Sequence, residues 1–132
     1  VINMNTMFKE CYSLVSIPQL DTSNVKYIKD MFNGCSSLVS IPQLDTSNVT
    51  SMDTMFTGCR SLIHANLKNV KLAFDLSYTA LLSKESLLYL INNEAATSAI
   101  SIKLATYAYT RLAEDPDIVA ALANHPNISL TK

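Results

Sequence analysis

The chain has 132 residues, 48% of them hydrophobic, and a net charge of −1. That length suits one domain with a packed core rather than a disordered chain. Lysines and arginines are scattered, with no basic footprint for a phosphate backbone, so nucleic acid is not an expected partner.

The first half is repetitive. Residues 1–24 end in MFKECYSLVSIPQLDTSN, residues 25–48 end in MFNGCSSLVSIPQLDTSN, and residues 49–72 restart with VTSMDTMFTGCRSL before the pattern decays. Met7, Met31 and Met55 fall in register, as do Phe8, Phe32 and Phe56, then Cys11, Cys35 and Cys59, then Leu14, Leu38 and Leu62. So short a unit cannot bury its own apolar side chains, and stacking equivalent units places like on like. A period in this range predicts a right-handed leucine-rich-repeat solenoid with a parallel sheet of short strands. Val25, Ile28, Met31, Phe32 and Cys35 follow gaps of three and four, which predicts a helical or 3₁₀ return opening at Val25 and capped by Ser23 or Asn24. Leu38, Ile41 and Leu44 continue into a strand. Pro18 and Pro42 are expected to end strands or to sit where no ladder bond is needed. Gly34 and Gly58 have Glu10 as their counterpart in the first copy, which argues that the position does not demand positive φ.

The pattern MF..C.SL..IP.LDTSNV resembles the BspA-like leucine-rich-repeat surface proteins of bacteria, over residues 1 to about 66. The resemblance implies an extracellular or cell-surface adhesion or recognition role, with no set of binding residues to carry over.

Beyond residue 72 the units lengthen. VKLAFDL, residues 70–76, reads as a strand. Ser83 can cap a helix with Leu87, Leu88, Leu90 and Ile91 on one stripe, ending near Asn92 and Asn93. Ile100, Ile102 and Leu104 alternate as a strand does. Asp115-Pro116-Asp117 starts a helix that buries Ile118, Val119 and Leu122, and His125-Pro126 stops it. NISL supplies a last strand with Ile128 and Leu130 inward. Leu76, Leu104 and Leu130 are expected to end successive strands that extend the same sheet through right-handed crossovers. The reading is thus a single solenoid over 1–132, with three repeats in 1–72 and a C-terminal cap with full helices in 73–132. This second part is similar to the tails of such repeats in gut-bacterial and prophage proteins.

No apolar run approaches the roughly 18 residues that a bilayer crossing needs, and no basic start followed by an apolar stretch marks a signal peptide. Val1 falls in the frame of Val25 and Val49, so the chain is expected to be a piece of a longer protein.

No catalytic constellation stands out, and no catalytic, cofactor or metal residues are assigned. Cys59 and His64 are five apart, but the repeat frame places Cys59 in an apolar ladder. The parallel cysteines argue against a disulfide or a zinc site. Asp21 and Asp45 recur at one position, yet the turn chemistry of the DTSN box explains them without calcium. The expected binding surface is the exposed face of the short strands: Val15, Ser16 and Gln19, then Val39, Ser40 and Gln43, then His64 and Asn66, with Tyr107 and Tyr109 as exposed aromatic candidates. The function expected is a non-enzymatic binding or adhesion module that recognises a protein or a glycan. The alternative is a structural or receptor-binding segment of a phage or prophage virion.

Overall fold

In a computed structural model, which describes residues 2–132, the first half is organised by a division of backbone donors. The frame position of Val1 lies outside the described residues. Met7, Lys9 and Cys11 donate to carbonyls three residues back, those of Met4, Thr6 and Phe8. The residues between them reach across: Thr6, Phe8 and Glu10 donate to Lys29, Met31 and Asn33 at 2.7–3.0 Å. One copy on, Asp30, Phe32 and Gly34 donate to Asp53, Met55 and Thr57.

An α-helix sends its N–H groups four residues back along its own segment. Here half of them serve the next copy, so the expected helical or 3₁₀ returns are corrected to arcs of successive β-turns. Val25 opens a strand instead, and the Ser23 hydroxyl donates to Asp21 at 2.6 Å rather than capping a helix. The turns place a left-handed residue at every fourth position of the arc. φ is 60° at Thr6 and Glu10, 56° at Asp30, 83° at Gly34, 55° at Thr54 and 78° at Gly58. The expectation that Glu10 relieves this position of positive φ is therefore corrected: Glu10 holds a conformation that only glycine adopts without a Cβ penalty.

The strands flank these arcs. β1 (Ile2–Asn3) pairs in parallel with β2 (Val25–Tyr27), which is bridged onward to Ser51. β3 (Ser40–Asp45) pairs in parallel with β4 (His64–Lys68), and β5 (Phe74–Leu76), β6 (Ile100–Leu104) and β7 (Ile128–Thr131) form a third parallel sheet. The right-handed leucine-rich-repeat solenoid on one continuous sheet is thereby corrected to a small mixed α/β domain, with separate sheets of two, two and three strands and three helices among the described residues.

Local sequence explains the breaks. Ile17–Asp21 forms no strand against β3, Pro18 having no N–H to give, and the Gln19 side chain donates to the Gln43 carbonyl instead, at 2.7 Å. Between β3 and β4 the register slips: Ile41 faces Ala65 but Leu44 faces Leu67. The third copy lacks one residue here, so β3 carries an extra one around Pro42 and Gln43.

In the second half, α1 (Lys84–Asn92) is capped by Ser83, whose hydroxyl accepts from the Ser86 N–H, and ends at Asn93 as its sequence predicts. α3 (Pro116–Asn124) is capped by Asp115, with Pro116 in its first turn, and closes at His125. α2 (Thr106–Leu112), which buries Ala108 and Leu112, is an element that the strand-and-helix reading passed over. Three further expectations shift. The strand over 70–76 shrinks to β5, Val119 is 50% exposed because α3 turns Ile118 and Ala121 inward, and Leu130 pairs with Ile102 rather than following Leu104. The halves are joined by backbone bonds, Ser83 to Ile63, Asn69 to Asn93 and Ala95 to Val70.

The core runs through both halves and includes a phenylalanine stack in the first. The rings of Phe8 and Phe32 lie 5.6 Å apart at 4°, and those of Phe32 and Phe56 lie 5.9 Å apart at 7°. Phe32 is fully buried between two neighbours, so Phe32→Ala removes two ring contacts and leaves a cavity. It is expected to cost about 3–5 kcal/mol in denaturant unfolding, and a smaller loss is expected for the half-buried Phe8→Ala. Glu10→Gly is expected to raise stability, by up to about 1 kcal/mol, because it removes a left-handed side chain. A lower midpoint for Glu10→Gly would contradict the turn geometry.

Candidate binding surface

Apolar residues of the β3 and β4 strands point inward: Ile41, Leu44, Ala65 and Leu67 are each at most 4% exposed. Of the polar positions beside them, Gln43 and His64 face out. Ser40 pairs with His64 across the two strands. Gln43, in the slipped stretch of register, is exposed, and its carbonyl takes the Gln19 amide. Val15 and Val39 form a backbone row with Ile63: Val39 donates to Val15 at 2.9 Å and Ile63 to Val39 at 2.8 Å.

The expected surface residues therefore divide. Val15, Ser16, Gln19, Gln43 and His64 are exposed, whereas Val39, Ser40 and Asn66 are half-buried. Asn66 follows Ala65, the partner of Ile41, so it sits beside Pro42 and not in the row of Gln19 and Gln43. His64 Nδ1 lies 3.3 Å from the Ser83 hydroxyl, while the Ser86 hydroxyl accepts the N–H of Ala65 at 2.9 Å. His64 thus braces the start of α1 against β4.

Gln19 and Gln43 come together in an open groove of about 380 Å³, lined also by Leu20, Asp21, Thr22, Ser23 and Asp45. It opens where residues 17–21 form no strand against β3, although the Thr22 hydroxyl donates to the Asp45 carbonyl at 2.9 Å. The acidic residues were legible only as turn formers, and they do form turns. Asp21 Oδ1 accepts the Ser23 hydroxyl and N–H, which hold its carboxyl below the usual carboxylate range. Asp45 Oδ1 accepts the Asn69 amide at 3.0 Å and the Ser47 N–H at 2.9 Å, and its carboxyl is likewise lowered, chiefly by Asn69. The hydrogen bonds to both aspartates fall on Oδ1, so among the described residues Oδ2 of each accepts none. Among the described residues no group of three or more His, Cys, Asp or Glu side chains is placed to hold a metal ion.

Tyr107 is 62% exposed beside Arg111, which lies 5.6 Å from its ring and donates to the Leu82 carbonyl at 2.8 Å. Tyr109 is half-buried and borders a second groove of about 230 Å³ with Thr110, Ala113, Glu114 and Lys132. The spacing of Ala108 and Leu112 was the signal for the helix that carries both tyrosines.

The cysteines show a role that spacing does not reveal. All three are free. The Cys35 thiol donates to the Phe8 carbonyl at 3.0 Å and the Cys59 thiol to the Phe32 carbonyl at 3.1 Å, so each ties its copy to the preceding one. Burial pushes the Cys59 thiol up to about 12 and raises that of Cys35, while Cys11 is exposed.

The repeated arcs and the Phe and Cys rows fall within residues 1–84, which match the model of a family described as Mycoplasma protein of unknown function, DUF285. The chain belongs to that family. The DUF285 match takes in all three copies and reaches the first residue of α1, and it fits a repeat surface-protein family. No curated protein and no solved structure matches the chain. Among the described residues no helix is long and apolar enough to cross a membrane.

Two outcomes are expected. At neutral pH an alkylating reagent modifies Cys11 alone in the native protein and all three cysteines in denaturant, as read by mass spectrometry. Native modification of Cys59 would show that its row is not closed. Asp30, lowered mainly by the Thr54 hydroxyl and the Asn33 amide, behaves as Asp45 does. Carboxyls depressed on folding contribute stability that is complete above the ordinary 3.8 and is lost as pH falls through their folded values. The melting temperature is therefore expected to drop on acidification below that value, with a shallower drop in Asp45→Asn.

Proposed function

We propose that this protein is a non-enzymatic binding or adhesion module of a bacterial cell-surface repeat protein, acting outside the cell on a protein or glycan ligand. The observation that supports the reading best is the groove beside β3. Gln19, Gln43, Asp21 and Asp45 line it together, and their spare acceptors suit a ligand rich in hydroxyl or N–H donors. Membership of DUF285, a match that fits surface repeat proteins, agrees with an extracellular setting.

Ser16 and Val15 lie on the same stretch of chain and would widen the contact, whereas His64 belongs more to the junction with α1. Repetition of the same residues in adjacent copies favours an extended ligand with repeating donors over a small compact one. No feature of the fold or of the family match favours a virion role.

Binding on glycan and protein arrays tests the reading. A ligand is expected whose affinity falls about tenfold or more, roughly 1.4 kcal/mol, in the double variant Gln19→Ala, Gln43→Ala. Unchanged affinity in that variant would remove the groove from the binding site. An absence of any ligand on both arrays would count against the module itself.

A further inference from the structure

Where the repeats meet the helical half, three stretches of chain lie side by side: residues 56–63, 76–83 and 105–112. The first two share one turn pattern. Cys59 donates to the Phe56 carbonyl and Leu62 to that of Cys59, while Thr79 donates to the Leu76 carbonyl at 3.0 Å and Leu82 to that of Thr79 at 3.1 Å. The Ser83 N–H reaches the Ile63 carbonyl at 2.8 Å, which sets the backbone of Ala80 beside that of Arg60. The third stretch is brought up by the pairing of Leu76 with Leu104. It is fastened by Arg111, whose Nη2 donates to the carbonyls of Ala80 and Leu82 at 3.2 and 2.8 Å.

The outer side of these stretches combines rings and guanidinium groups. Tyr78 is 42% exposed, Leu81 50% and Tyr107 62%. The two tyrosines follow the paired Leu76 and Leu104 by two and three positions, so they are neighbours across adjacent units. Arg60 and Arg111, the two arginines of the chain, are both exposed, and the three stretches contain no Asp or Glu. Neither arginine has an ion-pair partner among the described residues, and Asp115 and Asp117, which follow α2, are held by Lys84 at 3.1 and 2.6 Å. The carbonyl bonds of Arg111 engage Nη2 alone, leaving Nη1 and Nε to donate from a guanidinium already fixed 5.6 Å from the Tyr107 ring.

We infer that Tyr78, Leu81 and Tyr107, with Arg60 and Arg111, form a second binding site, for a glycan chain that carries carboxylate or sulfate groups. Neither groove described above includes these residues, so the site stands apart from the one beside β3. Exposed tyrosine rings offer flat apolar area at low entropic cost, with a polar tip in water, which suits the C–H faces of sugar rings. A guanidinium fork matches a carboxylate or sulfate in two parallel hydrogen bonds, and one held in place in advance loses little freedom on binding. The absence of acidic residues from the three stretches makes the charge of the ligand complementary. A sugar chain fits better than an acidic peptide, because the rings stand on open surface and not in a groove that would take peptide side chains.

Calorimetric titration of the whole chain tests the inference with three oligosaccharides of equal length: a sulfated heparin fragment, a sulfate-free oligogalacturonate and a neutral dextran fragment. One or both anionic chains are expected to bind, more weakly as salt is added, and the neutral chain is expected to bind at least about tenfold less tightly. The first two probes decide between sulfate and carboxylate. Arg60→Gln, at an exposed side chain without an ion-pair partner, and Tyr107→Ala are each expected to weaken binding about tenfold. The double variant Gln19→Ala, Gln43→Ala leaves it unchanged, which separates this site from the groove. The inference is overturned if neither anionic chain binds, if the neutral one binds equally, or if Arg60→Gln and Tyr107→Ala bind as the parent does. Loss of binding in the groove variant, or equal competition by a polyglutamate peptide, overturns it as well.

Discussion

A backbone arc that spends only half of its N–H groups on itself is complete only beside another arc of the same shape. That constraint governs the first half of this protein. Thr6, Phe8 and Glu10 find their acceptors 23 residues later, as do Asp30, Phe32 and Gly34. A buried donor without a partner would cost on the order of 1–3 kcal/mol, so the copies hold one another in register before any side chain is considered. Side chains then follow the backbone. The phenylalanine rings stack because their Cα atoms are already spaced and parallel, and the cysteine thiols reach carbonyls that the same register brings near.

The price of the arc is conformational. A left-handed residue recurs at every fourth position, and only two of the six are glycine. Thr6, Asp30 and Thr54 occupy one of these rows and turn the cost to use: Asp30 accepts the Thr54 hydroxyl, which stitches the second copy to the third, and the Asn33 amide of its own copy, and both lower its carboxyl. Glu10 has no such compensation among its side-chain bonds. Gly34 meets an additional limit, since a Cβ there would approach the Glu10 Cα to 3.3 Å.

Much of the packing was legible in the sequence, and less of the architecture. Met31, Phe32, Cys35 and Leu38 are buried as their recurrence predicts, Ser83 and Asp115 cap their helices, and Ile102 and Leu104 face inward. The helical reading of the arc failed because gaps of three and four suit a chain of turns as well as a helix, and periodicity alone does not report where the N–H groups go. The continuous sheet failed for a different reason. One residue fewer in the third copy, and a proline opposite the middle of β3, are small in an alignment but decide whether a ladder closes. At the candidate site, Gln19 and Gln43 were visible as exposed repeat positions. Asp21, Ser23 and Asp45 were hidden by their own competence as turn formers, and Asn66 was misplaced by the missing residue.

The row of bonds from Val39 to Val15, Ile63 to Val39 and Ser83 to Ile63 has one further consequence. The residue that opens α1 occupies the place that the next copy's chain would take, so the helical part meets the repeats through a fitting that every copy already carries. A whole 24-residue unit carries the same fitting wherever it stands in this row, whereas a change of a single residue, as the slip at Gln43 shows, is registered at once in the sheet.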